Sequence, residues 1–222
     1  MNAWRKLIAC ASALAFLLLA AGSQAQFPGM QGPPSMRGVW APVVGSGAAY
    51  EVIDRRGEKN TMEVAIVGTE TVPGGTAHWL ELVIGSKQGE MVMKQLTTLK
   101  SKELAIMRMI MQPPGEQPIE MSMEMMGMMN RGAQRAMKSD VRESATLVGT
   151  ESITVPAGTF SCQHYKTADG DDVWISDKVT PWGLVKATSK EHSMTLLRTV
   201  TNAKTRVTGT PRSMGDMMRR PS

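Results

Sequence analysis

The sequence predicts a mainly β protein of α+β type, an antiparallel sheet with one methionine-rich helix lying across a face. Two observations predict the sheet. Short runs with apolar residues at every second position recur from residue 48 to residue 201, and the hinges between them, such as RRGEKN and VPGG, are turn chemistry. A third predicts the helix: in IEMSMEMMGMMNRG, residues 119 to 132, six of the nine positions from Met121 to Met129 are methionine.

The strands follow in order. Residues 48 to 54 alternate Tyr50 and Val52 against Glu51 and Ile53, and residues 61 to 69 carry Met62, Val64 and Ile66 on one side. Residues 76 to 84 set His78, Leu80, Leu82 and Ile84 against Trp79 and Val83. The runs 91 to 99 and 104 to 112 are read as strands, although short apolar segments do not separate strand from helical turn by period alone. PPGEQP then breaks the chain before the methionine segment. Strand patterns resume at 145 to 155, 159 to 166, 171 to 176, 184 to 189 and 194 to 201. Tight turns between successive strands predict an antiparallel meander.

The ends read differently. MNAWRK, an apolar run of about 14 residues and the small-x-small ending Ser23-Gln24-Ala25 predict a secretory signal peptide over 1–25. The run is shorter than the roughly 20 residues a spanning helix needs, and no later run is long enough, so no transmembrane segment is expected in the mature chain. Residues 26–38 are a Pro/Gly-rich leader, 39–208 a single domain, and 209–222 a disordered basic tail. Export predicts a periplasmic or secreted protein.

Cleavage takes Arg5, Lys6 and Cys10 but no acidic residue from totals of 25 basic and 20 acidic groups, leaving a net charge of +3 and one cysteine, Cys162. Without a disulfide the domain must be held by its own core, for which its length is ample. The pI near 9.4 reflects Arg212, Arg219 and Arg220 near the end of the chain. With no interleaved basic and aromatic residues, nucleic acid is not an expected partner.

VGTETV-PGGTAHW at 67 to 79 and VGTESITVPAGTFSC at 148 to 162 share Val-Gly-Thr-Glu and Pro-x-Gly-Thr. Each reads as strand, turn, strand, and common turn chemistry accounts for the echo without duplication.

VGTESITVPAGTFSCQHY with DDVWISDKVTPWGLVK, residues 148 to 187, resembles a pattern in exported bacterial proteins whose fold is similar to the LolA/LolB lipoprotein-localisation factors. The resemblance implies a curved antiparallel half-barrel with helices across its concave side and an apolar cavity between. Carriers of that kind hold acyl chains. No position here matches the arginine or the protruding loop they use for hand-over, so transport stays an analogy of fold.

Stepped at about 100° per residue from Met121, Met125, Met128 and Met129 cluster on one side, opposite Glu120, Glu124, Gly127 and Arg131; Met123 and Met126 widen the apolar arc to roughly 220°. Such a helix is either a lid over a cavity, its thioethers adapting to a guest, or a filler of the core beneath the sheet. The expected ligand-binding set is Met121, Met125, Met128 and Met129, with Trp79 or, on the opposite face, Leu80 and Leu82. Which face is concave stays open. A competing reading is a Cu(I) site at Met121, Met123 and Met125, joined by Cys162 and His164, since thioethers select soft cations. Against it, residues i and i+2 of a helix point apart, and Met91, Met93, Met107, Met109 and Met111 recur at strand spacing.

Phe160, Cys162 and His164 alternate as a buried row does, and DGDD, residues 169 to 172, lacks the later bidentate Glu of a calcium loop and reads as a turn. No Gly-x-Ser-x-Gly, Ser-x-x-Lys, His-Glu-x-x-His or phosphate loop occurs. The expectation is a non-enzymatic binding protein without a cofactor, whose partner is a hydrophobic small molecule or lipid. The alternatives are a Met-rich copper(I)-binding protein and an envelope accessory protein that binds another protein.

Overall fold

The computed structural model describes residues 38–87, 89–121, 137–138 and 140–213. They build one 13-stranded sheet. Its strands are β1 (Gly47–Asp54), β2 (Lys59–Val72), β3 (Gly75–Ser86), β4 (Gly89–Lys100), β5 (Glu103–Gln112), β6 (Ile119–Met121), β7 (Met137–Lys138), β8 (Ala145–Val155), β9 (Gly158–Thr167), β10 (Asp172–Ile175), β11 (Leu184–Thr188), β12 (His192–Val200) and β13 (Arg212–Ser213). The order across the sheet is β13-β6-β5-β4-β3-β2-β1-β12-β11-β10-β9-β8, with β7 also beside β5. Two meanders, β1 to β6 and β8 to β12, thus join where β1 pairs antiparallel with β12. The parallel pair β13–β6 ends the sheet.

The expected helix is corrected. Among the described residues there is no α-helix across either face, only a single 3-10 turn at Val141–Glu143. Met121 closes a strand instead: Ile119 and Met121, two residues apart, face Met111 and Met109 across the edge of β5. That edge offers unpaired N–H and C=O groups, and pairing with them imposes period two on residues that a helical wheel also accommodates. Met123, Met125, Met126, Met128 and Met129 lie outside the described residues.

The two echoing segments form the hairpins β2–β3 and β8–β9. Each carries a register shift at its Val-Gly: Ile66/Gly68 beside Trp79, and Leu147/Gly149 beside His164. An extra residue there puts Val67 and Val148 out of the ladder and bends the strand.

Register separates the two faces of the sheet. On the inner face Ala48, Tyr50, Met62, Val64, Ile66, Leu80 and Leu82 meet Val173, Leu184, Met194 and Leu196 of the second meander in one buried cluster. Trp182, fully buried, anchors it and packs against Trp40 at 4.8 Å between ring centroids. The phenol of Tyr50 donates to the carbonyl of Leu184 at 3.0 Å, and burial pushes its pKa far up, so the donor persists. The turn Ser176–Gly183 requires its glycine. Gly183 has φ +69°, and a Cβ would stand 2.7 Å from Ile175 Cγ2.

The outer face of the first meander is crossed by the chain after β12. Ala203 N donates to Gly45 O, Thr205 Oγ1 and Arg206 N donate to Glu81, Thr208 N donates to Gln112, and Arg212 N donates to Pro118 O. This strap runs over β2, β3, β4 and β5 on the face where Ala65, Val83, Val92, Leu96 and Ile110 are buried. The tail boundary expected at Gly209 therefore falls short. Arg212 and Ser213 pair with Ile119 and Glu120 as β13.

Candidate functional site

The inner face of β3 to β6 is built in cross-strand rows. Leu82, Met93, Met111 and Ile119 form one, and Leu80, Gln95, Met109 and Met121 form the next. Ile84 and Met91 lie beyond the first row, while His78, Thr97 and Ile106 follow the second. Leu80 and Leu82 are buried, but Met91, Met93, Met109, Met111, Ile119 and Met121 are only half-buried. The face thus passes from solid core at β3 to accessible thioethers at β4, β5 and β6. On the outer face the same strands carry Val92, Leu96 and Ile110 at apolar positions, with Lys94, Arg108 and Glu120 at charged ones. Methionine in the register of β4 to β6 is confined to one side.

The row of His78 is the polar end. Burial lowers the His78 pKa, which favours the neutral imidazole. The Thr97 hydroxyl beside it is buried with no partner among the described residues. In the next row the Gln95 amide donates to Met93 Sδ at 3.0 Å. No cation competes on this face in these rows. Lys94 and Arg108 stand over the Trp79 ring on the other side, at 4.8 and 5.2 Å, and Arg108 Nε donates to Glu120 at 2.7 Å.

The expected ligand set is therefore divided. Met121, Leu80 and Leu82 share the inner face; Trp79 belongs to the outer one; Met125, Met128 and Met129 lie outside the described residues. Strand spacing of Met91, Met93, Met109 and Met111 was the legible signal for the rest of this face. The copper set is not brought together either: Met123 and Met125 lie outside the described residues, and Met121 on β6 stands at the opposite end of the strand order from Cys162 and His164 on β9. No group of three His, Cys, Asp or Glu side chains is arranged for a metal among the described residues.

His164 has another role. Its Nδ1 lies 2.7 Å from Glu151 Oε1 and its Nε2 2.8 Å from Asp172 Oδ1, while Trp174 stacks on its ring at 4.4 Å. Each ring nitrogen thus lies within hydrogen-bond distance of a carboxylate on a neighbouring strand, so the side chain clasps β8, β9 and β10 together. Asp172, the last residue of DGDD, belongs to the clasp as well as to the turn, and neither Glu151 nor Asp172 carried a sequence motif that pairs it with His164. Cys162 is fully buried, and desolvation together with the Glu151 charge pushes its thiol up to about 11, which makes it an inert core thiol.

Two depressions among the described residues lie elsewhere, one beside Leu147, Val148 and Lys166, the other beside Lys59, Asn60 and Gly85. Both are open to solvent, and the second is lined by the charged side chains of Glu51, Lys59, Lys87 and Glu90.

No family model matches the chain, and no curated protein matches it. Two solved structures are similar in extent. A candidate lipoprotein of Parabacteroides distasonis has a TM-score of 0.35 at 15% identity, and a candidate exported protein with a YmcC-like fold from Bacteroides fragilis has a TM-score of 0.35 at 11%; in each case 73% of this chain and 99% of the other are covered. At those values no chemistry transfers to this chain, and the LolA/LolB resemblance of residues 148 to 187 gains nothing from them. Among the described residues no helix is long and apolar enough to cross a membrane.

Proposed function

We propose that this is an exported, non-enzymatic binding protein that holds an elongated apolar or amphiphilic ligand, such as an acyl chain, on the inner face of β3 to β6. The observation that carries this reading is the row structure of that face: half-buried Met91, Met93, Met109, Met111 and Met121 continue the buried surface of Leu80 and Leu82 without a charged side chain between them. Thioethers on unbranched stems repack around guests of different shape, whereas β-branched residues such as those of the outer face do not. The Thr97 hydroxyl lies at one end of these rows and suits the polar end of an amphiphile. Handling of lipid or lipoprotein acyl chains in the cell envelope is where such a protein would meet its ligand, which agrees with the signal peptide read over 1–25.

The test is native mass spectrometry of the mature chain purified without detergent, followed by thermal unfolding with and without oleate. Co-purified lipid, or a melting temperature raised by oleate, supports the reading. A chain that carries no lipid and gains no stability from oleate overturns it.

A further inference from the structure

The register of β4, β5 and β6 brings together thioethers that are distant in sequence. Met93 faces Met111, and on the same face the next pair is Gln95 with Met109, so three methionines and one amide occupy the corners of a rectangle. Met111, Ile119, Met121 and Met109 form a second rectangle that shares Met109 and Met111 with the first. Facing Cβ atoms of an antiparallel pair are about 5 Å apart, and residues i and i+2 of a strand are about 6.7 Å apart. The centre of such a rectangle is then about 4 Å from each corner Cβ, by the same spacings. A sulfur two bonds beyond Cβ, on an unbranched stem, turns inward towards that centre, Met93 Sδ giving up the Gln95 amide in doing so. Three thioethers can thus meet above one point without backbone movement.

The surroundings select the kind of ion. No carboxylate stands in these rows, and the one imidazole, His78, lies beyond Gln95, so a hard divalent cation finds no charge compensation. A soft monovalent ion costs less to desolvate and prefers neutral sulfur donors. Basic groups of the same strands, Lys94 and Arg108, are on the opposite face, Arg108 tied to Glu70 and Glu120. These methionines are half-buried, which leaves the face open to an incoming ion.

We infer that Met93, Met109 and Met111, with Met121 beside them, form a cross-strand thioether site for Cu(I). This site shares a face with the proposed ligand but does not rest on that reading, because it needs sulfur where the other needs only apolar surface. It also differs from a Met-x-Met run: its ligands come from three strands, and Met109 and Met111 are its centre.

The experiment is a titration of the full mature chain, labelled at methionine ε-methyl carbons, with Ag(I) as a redox-inert probe and then with Cu(I) under reductant. The expected result is displacement of the Met93, Met109 and Met111 methyl resonances, and affinity at least tenfold weaker in Met109→Leu/Met111→Leu. Met109 and Met111 also belong to the proposed ligand face, so the oleate response is read separately, in the metal-free parent chain. Met123→Leu/Met125→Leu should bind as the parent does at these resonances. Unmoved Met109 and Met111 methyls overturn the site, as does affinity kept in Met109→Leu/Met111→Leu or lost only in Met123→Leu/Met125→Leu. Loss of the oleate response with metal affinity intact would strike the ligand reading alone.

Discussion

The hydroxyl of Thr205 donates to Glu81 Oε2 at 2.5 Å, joining residues 124 apart in the chain. Glu81 is 3% exposed, and its other oxygen accepts the backbone N–H of Arg206 at 2.7 Å. Arg206 itself reaches Glu63 and Glu90 at 3.0 and 3.1 Å. A carboxylate in the middle of an apolar sheet face is tolerable only because the strap supplies its donors. Thr205→Val keeps the shape and removes one donor, which should cost about 1 to 3 kcal/mol. Urea unfolding of the parent and the variant measures this; a difference near zero would show that solvent already serves Glu81.

The thioether face makes a prediction about side. Met109→Asp places a carboxylate between Gln95 and Met121 on the inner face and should abolish the stabilisation by oleate. Glu120→Ala, one residue from Met121 but on the other face, should leave it within error. Equal losses in both variants would mean that the response is not confined to the inner face.

The clasp at His164 holds three strands of the second meander. His164→Leu fills the space but leaves Glu151 and Asp172 facing an apolar group, with Trp174 Nε1 3.4 Å from Glu151 and Lys166 Nζ 3.6 Å from Asp172 as weaker substitutes. The expected loss is about 1 to 3 kcal/mol in chemical denaturation. Amide exchange should accelerate first in β8, the strand at the end of the sheet order.

Cys162 predicts an alkaline dependence. Its pKa is about 11 when folded against an ordinary value near 9.0, the rise coming from desolvation and then from Glu151. The folded state thus keeps the proton longer than the unfolded chain. Its contribution to stability is complete below about pH 9 and is lost as pH rises towards 11. Cys162→Ala should flatten that limb of a stability-versus-pH curve. At pH 8, alkylation by iodoacetamide should run about 100-fold slower than for a free thiol, two pKa units being two decades of thiolate. A rate equal to that of the urea-unfolded chain would contradict the buried assignment.

Much of the fold was legible because strand formation is a local, period-two property. The ten runs read as strands are β1 to β5 and β8 to β12, and the division of residues 76 to 84 into His78, Leu80, Leu82 and Ile84 against Trp79 and Val83 is the division the register shows. The thioethers at 91, 93, 109 and 111 carried the same period. The short elements were not legible. β6, β7 and β13 have two or three residues each, too few to display a period, and exist because β5 and then β6 offer an edge.

The sequence by itself determined the alternation of each strand, the turns between strands, and the segregation of methionine to every second position. Tertiary structure alone decided which side of the sheet is core, that Met121 extends a strand rather than starting a helix, and that a polar strap from residues 203 to 212 meets Glu81. Alternation follows from backbone geometry within a few residues. The choice of face and of edge partner depends on pairings more than a hundred residues apart, such as Tyr50 with Leu184, whose free energy no local pattern contains.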